Sequence, residues 1–279
     1  MLYTRKTFDL EHPIQEADVV VLGLPFDSTE IGRPCRLGPL FIRESLKATE
    51  GFDPETGKNP LGNTKFTDVG DLDFVPGNWK LTEERIEETV KEIVEINPKA
   101  FVIGMGGDHL NTLGVVKALK HFHSGLAVVH IDAHRDLLKD WFGEKNNHIT
   151  WARRAVDDGI DIIQLGCRIW KPEEDVFLKN RIKESLDGLK GPVYITVDLD
   201  VLDPSIAPEV GTPEPGGVEL QQVWTWLKQV FDAKDVHVVG MDVMECAVDR
   251  PYSQTALAAA SIIKKALAYR LNTSGTKKI

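Results

Sequence analysis

Residues 126–136 read LAVVHIDAHRD. A run that is apolar except for His130 passes without a break into Asp132, His134 and Asp136. Nearly continuous apolar runs are the pattern of parallel strands buried on both faces; antiparallel strands with one wet face alternate instead. Side chains alternate along a strand, so a spacing of two puts Asp132, His134 and Asp136 on one side while the backbone stays extended. Three potential ligands at one strand end are costly to bury unless a cation neutralises them.

The same kind of run recurs in both directions from this stretch. Segments 18–24, 66–69, 100–104, 161–165, 193–199 and 236–241 read as further strands. Between them, helical spacing appears in 82–97 (Ile86, Val90, Ile93, Val94), in 220–231 (Leu220, Val223, Leu227, Val230) and in 254–271 (Leu257, Ala260, Ile263, Leu267). Strand and helix in alternation predict an α/β fold on a mainly parallel sheet, with residues 1–279 as a single domain. Segments 51–63, 137–147 and 203–217 fit neither element. The last, DPSIAPEVGTPEPGG, is too rich in Pro and Gly for a helix or a central strand. Long loops in a compact domain are usually functional, and ligands of α/β sheets bind beyond the carboxyl ends of the strands.

Composition narrows the classes. The chain has 279 residues, with 33 Lys and Arg against 43 Asp and Glu, a formal charge of −10. That balance, with no basic block, predicts neither nucleic acid nor anionic membrane as a partner. Hydrophobic residues make up 42% and charged residues 27%, an ordinary globular balance. No apolar run approaches the roughly 20 residues a membrane span needs. The opening MLYTRKTFDLEHP lacks the apolar core of a signal peptide, so a cytoplasmic location is expected. Cys35, Cys167 and Cys246 are far apart and read as buried thiols.

Two more strand ends carry ligand-type side chains. In YITVDLD (194–200), Asp198 and Asp200 repeat the spacing of two, while Asp203 before Pro204 reads as a turn initiator. In FVIGMGGDH (101–109), His109 falls between a strand and a helix, with Asp108 read as a helix N-terminal residue. Gly104, Gly106 and Gly107 do not complete GxGxxG, which argues against a dinucleotide site. His109, Asp132, His134, Asp136, Asp198 and Asp200 form an oxygen-rich set without sulfur, suited to Mn²⁺-like ions. Four carboxylates balance two divalent cations, and paired ions ionise water near neutral pH. His130 reads as core or as a neighbour of the ligands. His12, His121, His123 and His237 offer no cluster.

These segments, with GLPFDSTEIGRPCRLGPLFIR (23–43), GTPEPGG and MDVMEC, resemble in content and order the ureohydrolases, the arginase and agmatinase family of manganese enzymes. The resemblance spans almost the whole chain. It implies a three-layer α/β/α sandwich around a parallel sheet of eight strands, two Mn²⁺ per subunit, and hydrolysis of a guanidino compound to urea and an amine. It also implies a homotrimer or homohexamer. Carried over, Asp132 and Asp198 bridge both ions, His109 and Asp136 complete one shell, and His134 and Asp200 the other. His148 matches the proton-shuttling histidine, Glu245 matches the acid that pairs with the guanidinium, and Asp136 protonates the leaving amine. Read without the family, His148 is a loop or helix-start histidine and Glu245 a surface carboxylate.

The departures bear on substrate. Arginases carry an Asn two residues after the last Asp of DAHxD, where it grips an α-carboxylate. Leu138 stands there and cannot donate a hydrogen bond. The GRPCRLGP loop is closer to that of agmatinases, with Cys35 in place of a Gly. Both features favour agmatine, giving putrescine in polyamine biosynthesis. Arginase, guanidinobutyrase, aminopropylagmatine ureohydrolase and formimidoylglutamase activities are the alternatives, and a non-catalytic regulatory member of the fold is the alternative of another class. Arg135 reads as an interior or subunit ion pair, or as a receiver for an acidic substrate tail. Glu209 and Val210 interrupt the glycine-rich stretch. Trp141 and Trp170 read as rim residues lining the channel or capping the core.

Overall fold

The computed structural model describes residues 12–28, 32–49, 51–178 and 181–276. The strands are β1 (Val19–Leu24), β2 (Phe66–Asp71), β3 (Phe101–Gly106), β4 (Ala127–Ile131), β5 (Asp161–Leu165), β6 (Ile182–Lys183), β7 (Gly191–Asp198) and β8 (Val236–Met244). They form one eight-stranded sheet in the order β2-β1-β3-β8-β7-β4-β5-β6, parallel at every pairing. The helices are α1 (Gly38–Ala48), α2 (Trp79–Ile96), α3 (Asn111–Lys120), α4 (Trp151–Asp157), α5 (Pro172–Leu178), α6 (Leu220–Asp232) and α7 (Gln254–Thr276).

Strand alternation sorts the core into two layers. Val21, Ile103, Val129, Ile195 and Val243 pack with Ile42 and Leu46 of α1, Val223 and Leu227 of α6, and Ile263 of α7. Leu22, Leu24, Val128, Ile162 and Tyr194 pack on the other face with Ile86 and Val90 of α2, Leu113 and Val116 of α3, and Trp151 of α4. Each such side chain, fully buried, contributes about 1.5–3 kcal/mol. The result is the three-layer sandwich that the resemblance implies.

Boundaries differ from the sequence reading where capping and pairing decide them. The second helix begins at Trp79, three residues early, because Asn78 accepts a hydrogen bond from Leu81 N at 3.2 Å and caps it. The last strand runs to Met244, three residues past the apolar run, because pairing with β7 continues to Asp198↔Met244. The two-residue β6, paired only through Ile182 and Lys183 on the sheet edge, is too short for any periodicity to mark. Segments 51–63, 137–147 and 203–217 contain only turns and isolated bridges. Among the described residues no helix is long and apolar enough to cross a membrane.

Topology positions the site. The chain passes from β3 to β4 across two places that β7 and β8 later fill. Four neighbouring strand ends thus meet at one edge, and they lead into His109, Glu245, Asp198 and Asp132. A crevice at such a change of strand order is where α/β sheets bind ligands.

Candidate metal centre and substrate pocket

Each donor is held by local structure. Asp132 directly follows β4, its N–H bonded to Leu165 O at 3.0 Å. Asp198 ends β7 and accepts from Asp200 N at 2.8 Å, which caps the short helix carrying Asp200. Asp200 in turn accepts from Ala133 N at 3.1 Å, tying the ends of β4 and β7 together. His109 lies on the turn from β3 to α3, where Gly107 packs so closely that a Cβ would stand 2.2 Å from Phe26 O. The expectation that extended backbone aligns Asp136 with Asp132 and His134 does not hold. The strand stops at Ile131, and Asp136 has a left-handed φ of 55°. Its carboxylate is brought in by that turn and fixed by Trp151 Nε1, which donates to Oδ2 at 2.8 Å.

All six predicted donors converge. His109 Nδ1 lies 3.0 Å from Asp132 Oδ2, 3.0 Å from Asp198 Oδ2 and 3.7 Å from Asp136 Oδ2. His134 Nδ1 lies 2.8 Å from Asp200 Oδ2 and 3.5 Å from Asp132 Oδ1. Asp132 therefore turns one oxygen to each histidine. Two overlapping donor groups share it: His109, His130, Asp132 and Asp136 in one, and Asp132, His134 and Asp200 in the other.

The four carboxylates are at most 5% exposed. Burial, then repulsion from neighbouring aspartates, pushes Asp136, Asp198 and Asp200 above the usual carboxylate range. Asp132 goes the other way: burial works to raise it, but His130 and hydrogen bonds from His109 and His130 hold it well below. Like charges forced together at one point are what a divalent cation stabilises, and an all-oxygen-and-nitrogen set fits a hard or intermediate ion such as Mn²⁺. The residues present fit the metal that the family implies.

His130 belongs beside the cluster. Gln164 Nε2 donates to its Nδ1 at 3.1 Å and also to Arg135 O at 2.6 Å. That leaves Nε2–H of His130 to donate to Asp132 Oδ2 at 2.7 Å. Burial lowers its pKa. Thr196, bonded to His109 Nε2 at 2.7 Å, was not singled out in the sequence, although it shares the face of Asp198 two residues on. Trp151, stacked on His109 at 4.7 Å, had no signal at all.

His148 opens a short helix after Asn147 and is 8% exposed, with Nδ1 unpaired. It belongs to neither donor group. Burial, then His134 and His109, lowers its pKa to about 4. Glu245 is not the surface carboxylate that its local sequence suggests. It is 3% exposed, follows β8 with a φ of 61°, and accepts from His109 N at 2.9 Å. Burial, then Asp108, raises its pKa to about 8. Asp108 holds the turn as expected, bonding Leu110 N and Ser28 N, and Asp203 accepts from Ser205, Gly216 and Gly217.

A cavity of about 310 Å³ adjoins the cluster, lined by His134, Asp136, Leu138, Trp141, His148 and Trp170 among others. Its walls are overwhelmingly apolar. Arg135 also lines this cavity; it lies under Trp170 at 4.3 Å and pairs through Nη2 with Glu184 at 3.1 Å, while Nε and Nη1 have no partner among the described residues. Lys171 sits over Trp141 at 4.1 Å. Glu209 faces outward to Arg250 at 2.7 Å.

Fold and site together define a class: an α/β/α sandwich with a histidine–carboxylate cluster where four parallel strands end. The chain belongs to the arginase family, whose model matches residues 17–268. It is 35% identical to an agmatinase of Bacillus subtilis, over 95% of this chain and 96% of that protein. It is 33% identical to an N(1)-aminopropylagmatine ureohydrolase of Thermococcus kodakarensis, over 94% and 95%. The structure superposes on an agmatine ureohydrolase of Thermoplasma volcanium with a TM-score of 0.85, at 26% identity over 100% and 98% of the two chains.

Proposed function

We propose that this chain hydrolyses a guanidino compound to urea and an amine, with agmatine as the substrate and two Mn²⁺ as cofactors. Asp132 and Asp198 would be shared by both ions, with His109 and Asp136 holding one and His134 and Asp200 the other. The observation that carries this reading is Glu245, a buried carboxylate outside the donor set yet hung on the backbone of His109. Bound in the cluster, the cations supply Lewis-acid activation of water near neutral pH.

The chain's own residues do the rest. Glu245 takes the planar guanidinium through charge-assisted hydrogen bonds and turns its central carbon toward the cluster. Trp141, Trp170, Leu138 and Ile149 exclude water from the substrate tail. Asp136 protonates the departing amine, and His148, on the cavity wall, exchanges protons with solvent. Leu138 is 4% exposed on that wall and offers no side-chain donor to an α-carboxylate. The names of the relatives support the same choice of agmatine. The reading extends to one domain over residues 1–279, to a cytoplasmic homotrimer or homohexamer, and to a place in polyamine biosynthesis.

The test is a substrate panel with the Mn²⁺-loaded protein: agmatine, arginine, guanidinobutyrate, guanidinopropionate, aminopropylagmatine and formiminoglutamate. The kcat/KM for agmatine should exceed that for arginine at least about tenfold, roughly 1.4 kcal/mol of transition-state binding. Arginine turned over as well as agmatine overturns the choice of substrate.

A further inference from the structure

We propose that Cys35 is a positioning residue for the guanidinium-binding carboxylate: its thiol donates to Glu245 and sets the edge that meets substrate. The inference rests on the reading of Glu245 as the guanidinium acceptor. Cys35 Sγ lies 3.0 Å from Glu245 Oε2, while His109 N donates to Oε1 at 2.9 Å. Each carboxylate oxygen thus receives one protein donor. A carboxylate has about four lone-pair sites, so one remains on each oxygen. Two parallel free sites are what the fork of a guanidinium requires.

The thiol is placed for this contact from both sides. Cys35 is fully buried, its N–H donates to Asp27 Oδ2 at 2.7 Å, and its carbonyl accepts from Gly38 N at 2.8 Å. Sγ also lies 3.4 Å from Arg33 O. One S–H proton cannot serve both acceptors, and the nearer one, Glu245 Oε2, takes it. Burial, then Glu245 itself, raises the Cys35 pKa, which keeps the thiol a donor at neutral pH. Beside it stands Gly211, where a Cβ would come within 2.2 Å of Oε2 and 3.6 Å of Cys35 Sγ. The loop at Gly211 leaves room for the carboxylate, and the loop at Cys35 supplies its donor. A glycine at position 35 would leave Oε2 without this donor and free to swing out of the shared plane.

The experiment uses the full, Mn²⁺-loaded chain with the substrate that the panel selects, and guanidinium chloride as a competitive probe of the Glu245 edge. Cys35→Ala should raise KM and the guanidinium inhibition constant about tenfold or more, the scale of a hydrogen bond to a charged group. Manganese content should stay unchanged. Cys35→Ser, which restores a donor, should return both constants to within about threefold of the parent, whereas Cys35→Val, which fills the space without a donor, should behave like Cys35→Ala. The serine–valine pair decides the matter even where the alanine variant fails to fold. Valine matching the parent, or serine failing as badly as valine, overturns the proposal, because packing would then be the whole role. Glu245→Gln separates the two readings. If it keeps the parent's KM, the assignment of Glu245 falls. If it is crippled while Cys35→Val is normal, only the role of Cys35 falls.

Discussion

Asp132 is the residue on which the centre turns. It offers Oδ2 to His109 and Oδ1 to His134, and a third histidine, His130, steadies it from below. Asp198 faces His109 on the other flank, and the proposed roles of this set and of His148 separate cleanly by substitution. If Asp198 is shared by both ions as proposed, Asp198→Asn should empty at least one site, which elemental analysis will show. His148 belongs to neither donor group, so His148→Asn should keep the metal content while kcat falls by about 10²–10⁴-fold, the usual contribution of a general acid–base group. Added imidazole should partly restore that rate. Loss of manganese in step with activity in His148→Asn would make this histidine a ligand or a structural residue.

Among the elements, the loop at 51–63 shows how an unpatterned segment is held. Lys265 of α7, only 7% exposed, pairs with Asp53 at 2.7 Å and Glu55 at 2.9 Å, and Tyr269 donates to Glu55 at 2.8 Å. Burial tends to raise Asp53, but the bonds from Lys265 and Thr56 leave its pKa lowered; Lys265 likewise lowers Glu55. A carboxylate whose folded pKa is depressed stabilises the fold above its unfolded value, and this stabilisation is lost as pH falls through the folded value. Lys265→Met should therefore cost about 1–2 kcal/mol at neutral pH, where Asp53 Oδ2 loses its donor while Thr56 still holds Oδ1. The difference in melting temperature between parent and variant should shrink as pH falls from about 5 toward 3. A constant difference across that window would show that the ion pair is not its source. None of this was legible in the sequence, because the partners are 212 residues apart. The sheet was legible, because strands buried on both faces write themselves as apolar runs. The six donors were legible because they directly follow such runs. Glu245 is placed by its own left-handed backbone beyond β8, and its contact with Cys35 spans 210 positions, so local pattern reached the burial of Cys35 but neither the burial of Glu245 nor their contact.

At the scale of the molecule, two apolar layers hold a sheet whose carboxyl edge gathers four buried aspartates. The hydrophobic packing that stabilises the strands also forces these charges together, so fold and cation binding are coupled. A ligand that binds only the folded chain stabilises it by mass action, about 2.7 kcal/mol at a hundred times its Kd. For a chain of this size that corresponds to a rise in Tm of about 4–5 °C per site. Manganese added to chelator-treated protein should therefore raise Tm steeply. Asp198→Asn should show opposite effects in the two states. Stripped of metal, it relieves repulsion from Asp200 and Asp132 and should melt above the parent; saturated with manganese, it has lost a ligand and should melt below. His148→Asn should track the parent's response to manganese. Identical melting curves for the parent in chelator and in manganese would show that the aspartates are not a metal centre, whatever the activity of the protein.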